Sequence, residues 1–212
     1  MRGFVEVLQK GRYDAIRQEL LASRLSQFIR EKEAQEGPEK GLIFPFVRGL
    51  RFAALLIYAI RETLSTTNLE VNWGQIIDED GGNCSPEGDI VIHKKGHKRR
   101  WNGGDGVNHI MDFRFIDKSR AVAVISCKSF LTTSGIEQDY CRRMLKYCDK
   151  VWLFAECCGP ESTELIRKGA KEAGYENFWH LYTWSRTTEE VFPVEDWNDF
   201  VKTLTELGKG YE

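Results

Sequence analysis

Nothing in this 212-residue sequence is apolar for long enough to cross a bilayer. The strongest run, Phe52–Ile60, falls well short of the roughly 20 residues a spanning helix needs. No apolar stretch follows the basic Arg2, so no secretory leader is expected. The six cysteines form no CxxC pair and share no repeated Cys/His spacing, which excludes a zinc ribbon or a disulfide scaffold. Reduced thiols in a cytoplasmic protein are the simpler expectation. Positive charge is not in excess: 30 Lys and Arg face 32 Asp and Glu, a net charge of −2. The global field therefore attracts no polyanion, although cations can still gather on one face. Gly103-Gly104-Asp105-Gly106 lacks the helix start and the Lys-Ser/Thr of a phosphate loop, and there is no nucleophile elbow or dinucleotide fingerprint. No internal repeat or low-complexity tract interrupts the chain.

What is present is an ordinary globular composition, 42% hydrophobic, 29% charged and 12% aromatic. A chain of this length buries about 70% of its unfolded surface, enough for a core without staples. Apolar residues at helical spacing predict a helix over 12–34, ended by Glu36-Gly37-Pro38, and a more apolar one over 47–64. The period then drops to two. Strands are predicted over 69–76, 89–92, 109–116, 121–127, 151–155 and 177–184, with helices over 136–147, 162–172 and 194–207. Late strands separated by helices imply crossovers, a mixed sheet and an α/β class. The organisation expected is an N-terminal helical arm over 1–40 and a core over 41–212.

Three polar groups fall where neighbouring strands would bring them together. Asp89 opens a strand after Ser85-Pro86-Glu87-Gly88. Lys128 follows the apolar run Ala121–Cys127, and Ser126, two residues earlier, shares its face of the strand. Glu137 follows by nine positions, early in the next predicted helix. Phosphodiester hydrolysis needs such a set. Carboxylates hold a hard divalent cation, and a lysine beside them positions the attacking water and neutralises developing charge. Plain alternatives exist for each: Asp89 as a strand-start residue, Lys128 with a buried stem and wet head, Glu137 as a first-turn helix carboxylate, Ser126 as core filler. Asp is depleted in strands, and an unpaired buried lysine is costly, which favours function for the first two.

The runs Ser85-Pro86-Glu87-Gly88-Asp89-Ile90-Val91-Ile92 and Ala123-Val124-Ile125-Ser126-Cys127-Lys128-Ser129 resemble the PD-(D/E)XK nuclease superfamily. The resemblance covers about residues 45–155. It implies a restriction-endonuclease-like fold, a mixed sheet flanked by helices, and a DNA endonuclease of the restriction or defence kind. It further implies Mg²⁺ or Mn²⁺ as cofactor, Asp89 as a metal ligand and Lys128 beside the nucleophile. Ser126 stands where the pattern has an acid. Some restriction endonucleases resemble this chain in carrying Ser-x-Lys with a glutamate from the following helix. Glu137 is the candidate for that acid, and Glu87 the second candidate. Glu62, near a helix end, is no convincing acid from the first core helix. A homodimer, with the 12–34 helix as its arm, suits an enzyme that cuts two strands. A fold that has lost catalysis and only binds nucleic acid or a protein is the alternative, and Ser126 favours it.

The segment His93–Trp101 adds Lys94, Lys95, Lys98, Arg99, Arg100 and Trp101, a pattern suited to phosphate contact and base stacking. A solvated hairpin tip is the plainer alternative. His93 and His97 are four apart, but the intervening Gly96 argues against a helical metal pair.

Overall fold

The computed structural model of the chain describes residues 45–96, 113–158, 163–185 and 190–212; the arm expected over 1–40 lies outside them. In order come α1 (Pro45–Thr63), β1 (Leu69–Ile77), β2 (Gly88–Lys94), β3 (Phe113–Asp117) and β4 (Ala121–Leu131). They are followed by α2 (Gln138–Met144), β5 (Val151–Cys158), α3 (Thr163–Ala173), β6 (Asn177–Ser185), β7 (Glu190–Pro193) and α4 (Asp196–Lys209). The seven strands form one sheet in the order β3-β1-β2-β4-β5-β6-β7.

The sheet is mixed, as its connections require. β1 and β2 pair antiparallel, as do β2 and β4, although β3 comes between the latter two in the chain. β4, β5 and β6 are parallel neighbours, and the crossovers between them carry α2 and α3. A strand covered on both faces loses its alternation, and every residue of β5 is buried. Phe52, Leu56, Ile57 and Ile60 of α1 recur at helical spacing. With Trp197, Phe200 and Leu204 of α4 they cover one face, where the Phe154 and Phe200 rings meet edge-on at 4.7 Å. The other face packs Val91, Val124, Leu153 and Ala155 under Cys141 and Met144 of α2 and Ile166 and Ala170 of α3. Gly74 of β1 lies so close to β3 that a Cβ there would stand 2.0 Å from the Arg114 carbonyl oxygen, so only glycine lets the two strands pair.

Several elements depart from their predicted bounds, and one strand, β7, has no predicted counterpart. β4 continues past Cys127 to Leu131, still paired with β5 through Leu131↔Cys158. α2 is shorter than expected, because a 3₁₀ turn over Thr133–Gly135 takes up the chain before it and Glu137 keeps a non-helical φ −89, ψ 85 at the N-cap. α4 starts two residues later than predicted, at Asp196. β7 carries a proline and has no apolar alternation to announce it; it is an edge strand on β6, the position a proline tolerates.

Candidate active site

The site begins with the lead-in to β2. The Ser85 hydroxyl accepts the Ile76 N–H at 2.9 Å, the Ser85 N–H donates to Ile76 O at 2.7 Å, and the Gln75 amide donates to Ser85 O at 3.0 Å. These bonds pin residues 85–88 against β1 and set where Asp89 emerges. The β2–β4 ladder runs from His93↔Ala121 to Ile90↔Ile125. One residue beyond it the Asp89 carboxylate takes over, accepting the Cys127 N–H at 2.7 Å. Asp89 thus bridges two strands at the point where backbone pairing ends.

Burial pushes the Asp89 carboxyl up to about 6, against the lowering effects of the Cys127 N–H and the Lys128 charge; the Glu87 and Glu137 charges raise it further. All four neighbours come from the motifs singled out in the sequence. On β4 the Lys128 ammonium donates to Glu137 Oε1 at 2.6 Å. Lys128 is therefore paired, contrary to the expectation of an unpaired cation, and its side chain is 24% exposed. Glu137 makes no capping bond to α2; its carboxylate reaches back to the strand instead. That is the placement expected of an acid supplied from outside the strand.

Ser126 lies deeper, only 1% exposed, and is near enough to the Tyr175 phenol to lower its pKa against the larger effect of burial. That phenol donates to the Glu137 carbonyl oxygen at 3.3 Å. Tyr175 thereby ties the residue carrying the second carboxylate to the end of α3. Sequence reasoning missed Tyr175. It sits just after α3, delivered by a turn at Gly174 whose φ of 102° suits glycine, and no local pattern links it to Ser126.

Glu87 stands further out, accepting the Trp73 indole N–H at 2.5 Å. Among the described residues no group of three or more His, Cys, Asp and Glu side chains converges, so Glu87 does not complete a triad with Asp89 and Glu137. Mg²⁺ ordinarily takes one or two carboxylates and fills the rest of its shell with water and phosphate oxygens. Two carboxylates flanking an ammonium, one with its proton affinity raised by burial, fit that demand.

The basic segment starts at the opposite end of β2. Lys94 lies five residues along the strand from Asp89, roughly 17 Å away. Its ammonium sits 6.0 Å from the centre of the Tyr211 ring, and the Lys95 ammonium donates to Thr67 O at 2.5 Å. Lys98, Arg99, Arg100 and Trp101 lie outside the described residues. His93 is buried, its Nε2 bonded to Asn72 Oδ1 at 2.8 Å, so it belongs to the core of the hairpin; His97 lies outside the described residues.

No family model matches the sequence, and no curated protein does. Among solved structures the chain resembles P. aeruginosa ATCC27853 NucC in a cAAA-bound form, with a TM-score of 0.60 at 10% identity over 95% of this chain and 90% of that one. It also resembles E. coli MS115-1 NucC in a cAAA-bound form, with a TM-score of 0.56 at 10% identity over the same shares. At that identity the likeness speaks for the fold. A mixed sheet with helices on both faces, arranged as in NucC, is restriction-endonuclease-like, as expected from the two motifs. No helix among the described residues is long and apolar enough to cross a membrane.

Proposed function

We propose that the chain is a divalent-cation-dependent endonuclease that hydrolyses phosphodiester bonds in DNA, acting in restriction or phage defence. The observation that carries this reading is the meeting of Asp89, Lys128 and Glu137 where β2 and β4 part. The NucC-like fold and the match to both superfamily motifs support it. In this reading Asp89 and Glu137 hold Mg²⁺, with Mn²⁺ as a substitute, and Glu87 stays at the rim. The cation, when bound, polarises the phosphoryl oxygen and lowers the pKa of a bound water. The bonds this chain contributes are its own. Asp89 is fixed by the Cys127 N–H, Glu137 by Tyr175, and the Lys128 ammonium, once Glu137 turns to a cation, is free to orient water and offset charge on the phosphate. The run from Lys94 to Trp101 contacts backbone phosphates. The protein works as a homodimer, one site for each strand, and the free cysteines suit a reducing cytoplasm.

A second reading has one observation of its own. Ser126 replaces the strand's acid and is buried, which favours a domain that has lost catalysis and only binds nucleic acid or a protein partner. Supercoiled plasmid and phage DNA, incubated with Mg²⁺, Mn²⁺ or EDTA, separate the two. The assay is run with and without cAAA, because the two NucC neighbours carry it in their structures. Metal-dependent cutting that disappears in Asp89→Asn and Lys128→Ala establishes the nuclease. DNA binding without cutting under every condition establishes the second reading.

A further inference from the structure

Two phenols lie beneath the Asp89–Lys128–Glu137 cluster, and they differ in one respect. The Tyr175 hydroxyl has a partner, the Glu137 carbonyl oxygen, to which it donates. The Tyr140 hydroxyl is shut off from solvent and has no hydrogen-bond partner. A phenol brings one donor and an acceptor oxygen, and leaving such a group unmet in the interior costs about 1–3 kcal/mol. The ring itself is half-buried and packs against the core under α2, so phenylalanine would fill the same space.

The position of this orphan is specific. Glu137 is the N-cap of α2, and Tyr140 follows three residues later, one turn on and on the same side of the helix. The groups acting on the phenol are those of the site. Burial raises its pKa, then Asp89, and after it Tyr175, Cys127 and Glu137. At any ordinary pH it is therefore an intact, uncharged O–H. The carboxylate oxygens accept hydrogen bonds and ligate cations. A cation-bound water turns its oxygen to the metal and its hydrogens outward, and the unmet phenol oxygen is an acceptor for one of them.

We propose that Tyr140 is a positioning residue whose hydroxyl oxygen accepts a hydrogen bond from a water in the shell of a divalent cation held by Asp89 and Glu137. The inference rests on the nuclease reading and adds a residue to it. Partners of this kind orient the first ring of ligands, and their removal weakens metal binding about 10- to 100-fold.

The test is calorimetric titration of Mn²⁺ alone into the wild type, Tyr140→Phe and Asp89→Asn, with thermal melts of each in EDTA. Tyr140→Phe is expected to bind Mn²⁺ at least about tenfold more weakly while melting, cation-free, at or above the wild-type temperature. Wild-type affinity in Tyr140→Phe overturns the proposal. So does a lower cation-free melting temperature, which would make Tyr140 a packing residue. Asp89→Asn keeps the two levels apart. Loss of binding in Asp89→Asn with full binding in Tyr140→Phe leaves the nuclease reading standing and removes Tyr140 from it. A wild type with no Asp89-dependent binding removes both.

Discussion

The Lys128 ammonium and the Glu137 carboxylate meet at 2.6 Å, joining β4 to the N-cap of α2. Their side chains are 24% and 53% exposed, and an ion pair that wet contributes only about 0–1 kcal/mol to stability. The pair therefore has little structural purpose. Lys128→Ala and Glu137→Gln should each shift the midpoint of urea unfolding by no more than about 1 kcal/mol and abolish metal-dependent cutting of plasmid. A variant that unfolds several kcal/mol more easily, or one that still cuts, would show that the pair is structural.

Asp89 should cost the empty protein stability. Its folded-state pKa is raised, chiefly by burial, from the ordinary 3.8 to about 6. For a raised pKa the favourable contribution is complete below the unfolded value and lost as pH rises through the folded one. Above pH 6 the ionised carboxylate is then a liability of up to about 3 kcal/mol. Asp89→Asn keeps an oxygen for the Cys127 N–H, loses the charge, and should melt higher than the wild type at pH 8 in EDTA. The gap should shrink toward pH 4, and cutting should vanish. Equal melting temperatures at pH 8 would mean that the cleft is wetter than the structure implies.

Much of this was legible in the sequence for local reasons. Asp89 and Lys128 bracket apolar β-forming runs, and antiparallel pairing of those two strands brings the start of one beside the end of the other. Glu137 was legible through motif spacing, although its exclusion from α2 was not, since the 3₁₀ turn at Thr133–Gly135 has no strong composition signal. Ser126 read as either ligand or filler; its burial and its nearness to Tyr175 involve a residue 49 positions away, beyond any local pattern. Of the basic run only Lys94 and Lys95 lie among the described residues. The distance of Lys94 from Asp89 follows from strand direction, because the two residues stand near opposite ends of a seven-residue strand.

Ser126 and Tyr175 should behave as supports. Ser126→Ala removes a small hydroxyl near the Tyr175 phenol, and Tyr175→Phe removes the phenol's hydrogen bond to Glu137 O. That lost bond is worth about 1 kcal/mol, so Tyr175→Phe should be the more destabilised of the two in urea melts. Ser126→Ala should keep wild-type Mn²⁺ affinity. A Ser126→Ala protein that folds normally and fails to bind Mn²⁺ would make the hydroxyl a ligand after all.

On the same side of the sheet, Lys128 pairs in register with Ala155, and Ala155 with His180. His180 is buried, stacked at 7° on Phe178, and its Nδ1 meets Asp196 Oδ2 at 2.9 Å. Asp196 opens α4, also accepts the His180 backbone N–H at 3.2 Å, and faces Arg167 of α3 at 3.3 Å. One carboxylate thus ties α3, β6 and α4 together. Burial raises its pKa, but the His180 hydrogen bond, the His180 and Arg167 charges and the His180 N–H outweigh that and leave it below 3.8. For a depressed pKa the contribution is present above the unfolded value and lost as pH falls through the folded one. Asp196→Asn should therefore be less stable than the wild type by about 1.5–3 kcal/mol at pH 6, the worth of hydrogen bonds to a charged group. The difference should hold down to about pH 4 and close as the pH drops further. Urea unfolding of both proteins between pH 2.5 and pH 7, taken in steps of about half a pH unit, reads that gap directly. A gap that persists undiminished at the acid end would mean that the amide fails by shape, and that the carboxylate's charge is not what holds the three elements.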